Sequence, residues 1–193
     1  KANQMKKVYC IGELLIDFVA ENQGKDLTQA VQFTKKAGGA PANVACAISK
    51  LGGSAVFVGA VGQDAFGQFL VDTLHVHGVD TSEAQRSQTF TTLAFVSIAA
   101  DGERDFVFSR GADKTLTYQS SLGKQLNEVI VHFGAATSFL GGSLEEAYGN
   151  YLSDAKQGGC TICFDPNFRT DLWKNNEETF VTKCHPFIAA ADL

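Results

Sequence analysis

Apolar residues fall along this chain in short, nearly continuous runs separated by longer stretches of helical spacing. "KKVYCIG" (Lys6–Gly12), "SAVFVGAVG" (Ser54–Gly62), "VIVHFGA" (Val129–Ala135) and "CTICFDPN" (Cys160–Asn167) read as strands buried on both faces. Between them the spacing predicts a helix from Pro41 to about Leu51, with Val44, Ala47, Ile48 and Leu51 on one face. Pro41 suits the first turn, where its missing N–H costs nothing, and Gly52–Gly53 stop the helix. Further helices are expected over about Phe66–His77, with Asp64 as N-cap, over Ser143–Gln157, and near Asn176–Cys184. The closing "FIAAADL" reads as the start of another buried strand. Strands alternating with helices predict an α/β fold: a parallel, doubly wound sheet flanked by helices on both faces.

Some segments break that alternation. "LLIDFVAE" is extended but carries Asp17 inside it, and "VQFTKKA" (Val31–Ala37) has the partial alternation of an edge strand. "TTLAFVSIA" and "RDFVFSR" alternate well and are joined by "ADGE", whose D-G pair suits a hairpin turn. Together they predict a small separate sheet, with strands near 14–37 and 91–110, in the position of a lid.

Composition narrows the class. At 193 residues and 45% hydrophobic, the chain can bury one large core or two small ones. A net charge of −5 without a basic run argues against nucleic acid and anionic membranes as partners. The apolar runs are strand-length, too short to span a bilayer, and the polar opening Lys1–Lys7 does not read as a signal peptide. Five cysteines, odd in number and irregularly spaced, fit a reduced, cytoplasmic setting. Cys160 and Cys163 form a C-x-x-C, either a zinc or redox pair or two thiols on a buried strand; no second ligand pair is spaced for zinc. "GAVGQDAFG" lacks the G-x-G-x-x-G order, and no P-loop is present.

Open α/β sheets bind ligands at the carboxyl ends of their strands, and several special residues fall there. Asp17 in apolar company is either on an exposed edge or held for a hydroxyl-bearing ligand, because an unpaired buried carboxylate is costly. Gly38 and Gly39 before a helix, with Asn43 in its first turns, are either an ordinary loop or a cradle of bare N–H groups and a carboxamide. Asp165, Asn167 and Arg169 in "DPNFR" form either an Asx-type turn or a phosphate-and-metal site. The four histidines are scattered and carry no assignment.

Taken together these stretches resemble the PfkB, or ribokinase-like, family of carbohydrate kinases. "GGAPANVA" (Gly38–Ala45), then Gly52, then Gly62 after nine intervening residues, matches the family's N-terminal signature, and "GELLIDF", "VGQDAFG", "RGAD" and "DPNFRTDLW" look like segments of bacterial fructokinases. The resemblance covers essentially the whole chain. It implies phosphoryl transfer from ATP to a sugar hydroxyl, most of all D-fructose, with 2-keto-3-deoxygluconate or ribose as the alternatives within the class. A kinase-like protein that binds sugar without turnover is the alternative outside it. It implies that the double glycine lets the backbone approach the sugar, that Asn43 and Asp17 bind its hydroxyls, and that Phe108 and Arg110 reach it from the lid. It sets Asp165, Asn167 and Arg169 near the phosphate and Mg²⁺, with no direct metal ligand in the chain, and leaves a monovalent cation open. It also implies pairing as a homodimer through the lid. The family's D-T-x-G-A-G-D-type segment, with its catalytic base, and the metal-organising N-x-x-E-type segment do not occur here. Residues 1–193 are therefore expected to be the sugar-binding, lid-bearing N-terminal portion of a longer kinase. The base and the ATP pocket are expected beyond Leu193, and the chain alone is expected to be inactive.

Overall fold

A computed structural model describes residues 6–21, 24–98, 102 and 104–193. A five-stranded, all-parallel sheet forms the body, in the order β5 (Ala84–Ser87), β4 (Ala55–Gly62), β1 (Val8–Ile11), β8 (Ile130–Gly134), β9 (Thr161–Asp165). One face packs on α4 (Ser143–Gln157) and α6 (Glu177–Ile188), burying Tyr9, Val131, Phe133, Tyr148 and Phe187. The other packs on α1 (Ala40–Lys50) and α2 (Ala65–Val76), burying Cys10, Phe57, Leu70 and Leu74. The doubly wound expectation therefore holds.

The interrupting segments form their own four-stranded sheet, in the order β3 (Phe33–Gly38), β2 (Leu15–Ala20), β6 (Leu93–Ile98), β7 (Arg104–Ser109). Strands β6 and β7 are antiparallel, as the hairpin pattern requires. The expected turn falls largely outside the described residues; within it Gly102 takes φ +86°. Aromatic rings fasten this lid to α2: Phe18 lies edge-on to Phe66 at 5.7 Å and stacks on Phe95 at 5.2 Å. Lys35 of β3 adds its ammonium 3.8 Å from the Phe69 ring centroid.

Two expectations need correction. On α1 the buried residues are Pro41, Ala42 and Ala45, while Ala47 is exposed and Leu51, just past the helix, is 88% exposed. Small side chains face inward because the helix lies directly on backbone: a Cβ at Gly12 or Gly134 would sit 2.5 or 2.7 Å from Pro41 Cγ. Helix α6 runs to Ile188, through Pro186, so "FIAAADL" is not a strand from its start. Only its last residues reach the sheet, where Phe164 N–H donates to Leu193 O at 2.9 Å and Asp192 N–H to Ile162 O at 2.8 Å. The C-x-x-C is two free thiols, Cys160 directly before β9 and Cys163 on it. All five cysteines are free; Cys160 is in the core while Cys163 registers with His132.

Strand β5, the single-turn helices α3 (Ser120–Gly123) and α5 (Thr170–Trp173) and a 3₁₀ turn at Ala112–Thr115 were not legible in the pattern. Each spans four residues, too few to display a period.

Asp64 caps α2 by accepting the Phe66 and Gly67 N–H groups at 3.0 and 2.8 Å, and it accepts Thr91 N–H and O–H, both at 2.8 Å. One carboxylate thus ties the helix to the root of the lid. Asp64→Ala is expected to cost about 2 kcal/mol of stability in urea unfolding, more than a lost cap alone. A loss within about 0.5 kcal/mol would mean that the Thr91 bonds contribute nothing.

Candidate active site

The chain leaves β1 at Ile11 and enters the lid three residues later, so Gly12, Glu13 and Leu14 join core to lid. Asp17 is the third residue of β2. Register sets it in one cross-strand row with Lys36, Ala94 and Phe108, and alternation puts all four on the same lid face. Gly38 ends β3 beside it: a Cβ there would lie 2.1 Å from Asp17 Oδ2, so the carboxylate fills the space a side chain would take. Gly39 has φ +111°, and a Cβ on it would lie 2.3 Å from the Glu13 carbonyl oxygen. Gly39 admits no other residue without the chain shifting, and a side chain at Gly38 would displace the Asp17 carboxylate.

Asn43 is exposed on α1, its N–H bonded to Gly39 O at 3.0 Å. It lines, with Gly38, a cavity of about 270 Å³ that runs between α1 and α2 towards Lys50 and His77. Asp17, Arg110 and Arg169 do not line this cavity. It is a groove beside the charged groups.

Arg110 follows β7. Its Nε donates to Asp113 Oδ2 at 3.0 Å, Nη1 to Leu140 O at 2.7 Å and Nη2 to Thr137 O at 3.0 Å. Asp113, with its side chain fully buried, also accepts the Thr92 hydroxyl. Arg110 therefore anchors the end of the lid to the loop after β8, and two of its five N–H groups are left for a ligand. Phe108, half-buried, stacks on Phe106 at 5.9 Å. At the end of β9, Asp165 accepts the Asn167 N–H at 2.9 Å and its side-chain amide at 3.1 Å, an Asx turn with Asn167 at φ +44°. Arg169, exposed two residues on, stands in electrostatic reach of both Asp17 and Glu13.

Burial pushes the Asp17 carboxyl above its ordinary value, against the pull of Arg169 and Lys36. Glu13 goes further. It is 2% exposed, and burial raises it to about 7 from the 4.5 of a free side chain, against the Ala40 N–H it accepts at 2.9 Å and the charge of Arg169. Its Oε2 is buried without a hydrogen-bond partner.

Sequence reasoning missed Glu13, Asp113 and Thr92 as parts of this site. One signal was available. A glutamate between Gly12 and the apolar "LLI", at the end of a buried strand, must find a partner or sit protonated.

A model of the pfkB family of carbohydrate kinases matches residues 5–193. The chain belongs to this family. Among its relatives, fructokinase-1 of Oryza sativa subsp. japonica is 40% identical over 182 residues, which is 92% of this chain and 56% of the relative. The probable fructokinase-5 of Arabidopsis thaliana is 41% identical over 175 residues, 88% of this chain and 53% of the relative. The chain thus spans about half the length of the curated relatives it matches. Among solved structures, Xylella fastidiosa fructokinase superposes with a TM-score of 0.82 at 35% identity, over 97% of this chain and 60% of that one. A sugar kinase from Pyrococcus horikoshii superposes with a TM-score of 0.86 at 30% identity, over 96% and 61%. The same protein has also been solved in complex with ATP. These superpositions place 96–97% of this chain on 60–61% of each neighbour, so that part of the family's fold is present here.

The Glu13 carboxyl makes stability depend on pH in a defined direction. The folded chain holds this proton more tightly than the unfolded chain. The group's contribution is greatest below pH 4.5 and falls as pH rises to about 7. That shift corresponds to about 3 kcal/mol. Urea unfolding of the chain and of Glu13→Gln across this range is expected to show the original losing stability relative to the variant as pH rises. A pH-independent difference between the two would remove the buried-proton reading.

Proposed function

We propose that this chain is the sugar-binding, lid-bearing portion of an ATP-dependent carbohydrate kinase that converts D-fructose to fructose 6-phosphate. The observation that carries this reading is the double-glycine turn with the Asp17 carboxylate seated over Gly38. It combines close backbone approach with an acceptor for hydroxyls, which is what a small polyol requires. Family membership supports the reaction class, and the fructokinases among the relatives support fructose over 2-keto-3-deoxygluconate or ribose.

In this reading Asp17 accepts sugar hydroxyls, the Gly38–Gly39 backbone and Asn43 orient the ring, and Phe108 covers it from the lid. Lid closure excludes water, which would otherwise compete for the phosphoryl group. The bond between the γ-phosphorus and the ADP oxygen breaks, a bond to the sugar oxygen forms, and a base takes the hydroxyl proton. We assign that base, and the nucleotide pocket, to the length of the relatives that this chain does not span. Arg169 is the cation of this portion that suits the transferring phosphate. Among the described residues no group of three or more His, Cys, Asp or Glu could hold a metal. In this reading Asp165 and Asn167, held together in their Asx turn, lie beside the transferring phosphate and its Mg²⁺. Pairing through the lid belongs to the same reading, with Val107 of β7 51% exposed on it.

The test is ADP release from ATP and Mg²⁺ with fructose, 2-keto-3-deoxygluconate or ribose, beside calorimetric binding of each sugar. A chain continued to the relatives' length is expected to turn over with fructose. The 193-residue chain is expected to bind fructose without turnover. Asp17→Asn is expected to weaken that binding by at least about tenfold, the cost of losing a charged acceptor. Turnover by the 193-residue chain, or preference for another sugar, would overturn the corresponding part of the reading.

A further inference from the structure

Helix α1 begins at Ala40, directly after the double glycine, and its N-cap Gly39 has no side chain to bond the free N–H groups of the first turn. In most helices a Ser, Thr, Asp or Asn does this locally. Here the partner comes from another element: Glu13 Oε1, at the end of β1, accepts Ala40 N–H at 2.9 Å. Its backbone is pressed against Gly39, leaving no space for a Cβ. The second carboxyl oxygen is enclosed and without a hydrogen-bond partner. A carboxyl with one oxygen on the turn and the other idle is more than packing requires; a glutamine would fill the same space.

We propose that Glu13 is a positioning residue for the sugar turn: its carboxyl grips the head of α1, and its charge state sets how firmly the Gly38–Gly39 backbone is held for a polyhydroxy ligand. This inference rests on the sugar-kinase reading above. Ionised Glu13 accepts Ala40 N–H as a charge-assisted bond and meets the positive end of α1. The protonated acid makes a neutral bond and carries an O–H with no acceptor.

Charged and titratable groups stand near this turn on several elements. Asp17 stands on β2 with Lys36 beside it on β3, and Arg169 follows β9. Asp113, paired with Arg110, lies on the 3₁₀ turn. From α4, the Tyr148 hydroxyl donates to the Ile11 and Gly134 carbonyls and is raised by burial and, secondarily, by Glu13. The Asp113 charge opposes ionisation of Glu13 and that of Arg169 favours it. Asp17 titrates in the same direction as Glu13, so a variant must separate the two.

The test uses the ¹⁵N-labelled chain and Glu13→Gln, with amide shifts of Gly38, Gly39 and Ala40 followed from about pH 5 to about pH 9. The three amides are expected to titrate together in the original chain, with a midpoint near 7, and to stay flat in the variant. Fructose binding over the same range is expected to tighten about fivefold as pH rises in the original chain. Glu13→Gln is expected to keep the weaker, low-pH affinity throughout, since its amide oxygen mimics the neutral acid. Flat turn amides in the original chain, or a titration that survives unchanged in the variant, would overturn the proposal. So would a fructose profile that the variant shares. If the amides titrate as expected but neither protein binds fructose at any pH, the grip on the turn stands. It is then the sugar reading that fails.

Discussion

Pro41 occupies the room that two glycines leave. Side chains at Gly12 and Gly134 would each collide with its ring, and because they are absent, α1 sits against the ends of β1 and β8. This contact fixes the head of the helix over the carboxyl edge of the sheet, where α/β folds bind ligands. The rest of the site is built around it. With α1 so placed, Gly39 presses on the Glu13 backbone and the Asp17 carboxylate takes the space beside Gly38. The segment after β1 must pass within touching distance of that turn, which brings Glu13 to Ala40 and Asp17 to Gly38. The cost is two carboxyl groups in poor contact with water, visible in the raised proton affinity of both.

Carboxyl groups elsewhere behave in the opposite way. Asp64 and Asp80 accept N–H groups of turns and caps and are held below their ordinary value despite some burial. The contrast separates structural from functional use of one side-chain type. Where the backbone provides enough donors, a carboxylate stabilises the fold. Where it provides one or none, as at Glu13 Oε2, the carboxyl holds its proton and ionisation costs stability.

Much of this was legible in the sequence because it rests on local rules. Apolar runs gave the parallel strands, the D-G hairpin and the interrupting polar strands gave the lid, and glycine beside proline marked the close approach. What could not be read depends on tertiary partners. The inward face of α1 follows not from its own period but from the glycines beneath it. Arg110 reads as a ligand contact in sequence, yet its hydrogen bonds run to Asp113 and to carbonyls 27 and 30 residues away. Glu13 is silent in sequence because its partner lies 27 residues on. Helix α6 outran its expected end because Pro186 lies within its last turn, where Phe187 still has the core to bury into.

The lid is attached at both ends of its path. Its first strand leaves the core through Gly12–Leu14, and its last is fastened through Arg110 to the loop that Lys183 holds from the other side, by a bond to Phe139 O and a pair with Glu145. Mechanically this is a cantilever, not a door. A leaf clamped along its root bends with a displacement that grows towards the free end and vanishes at the clamp. Asp17 and Phe108 share a row near the root, whereas Val19 and Phe106 lie two rows further out. Any flexure of such a leaf would displace its outer rows more than the groups nearest the double glycine. That gradient follows from the strand order and the two attachments, without a hinge residue.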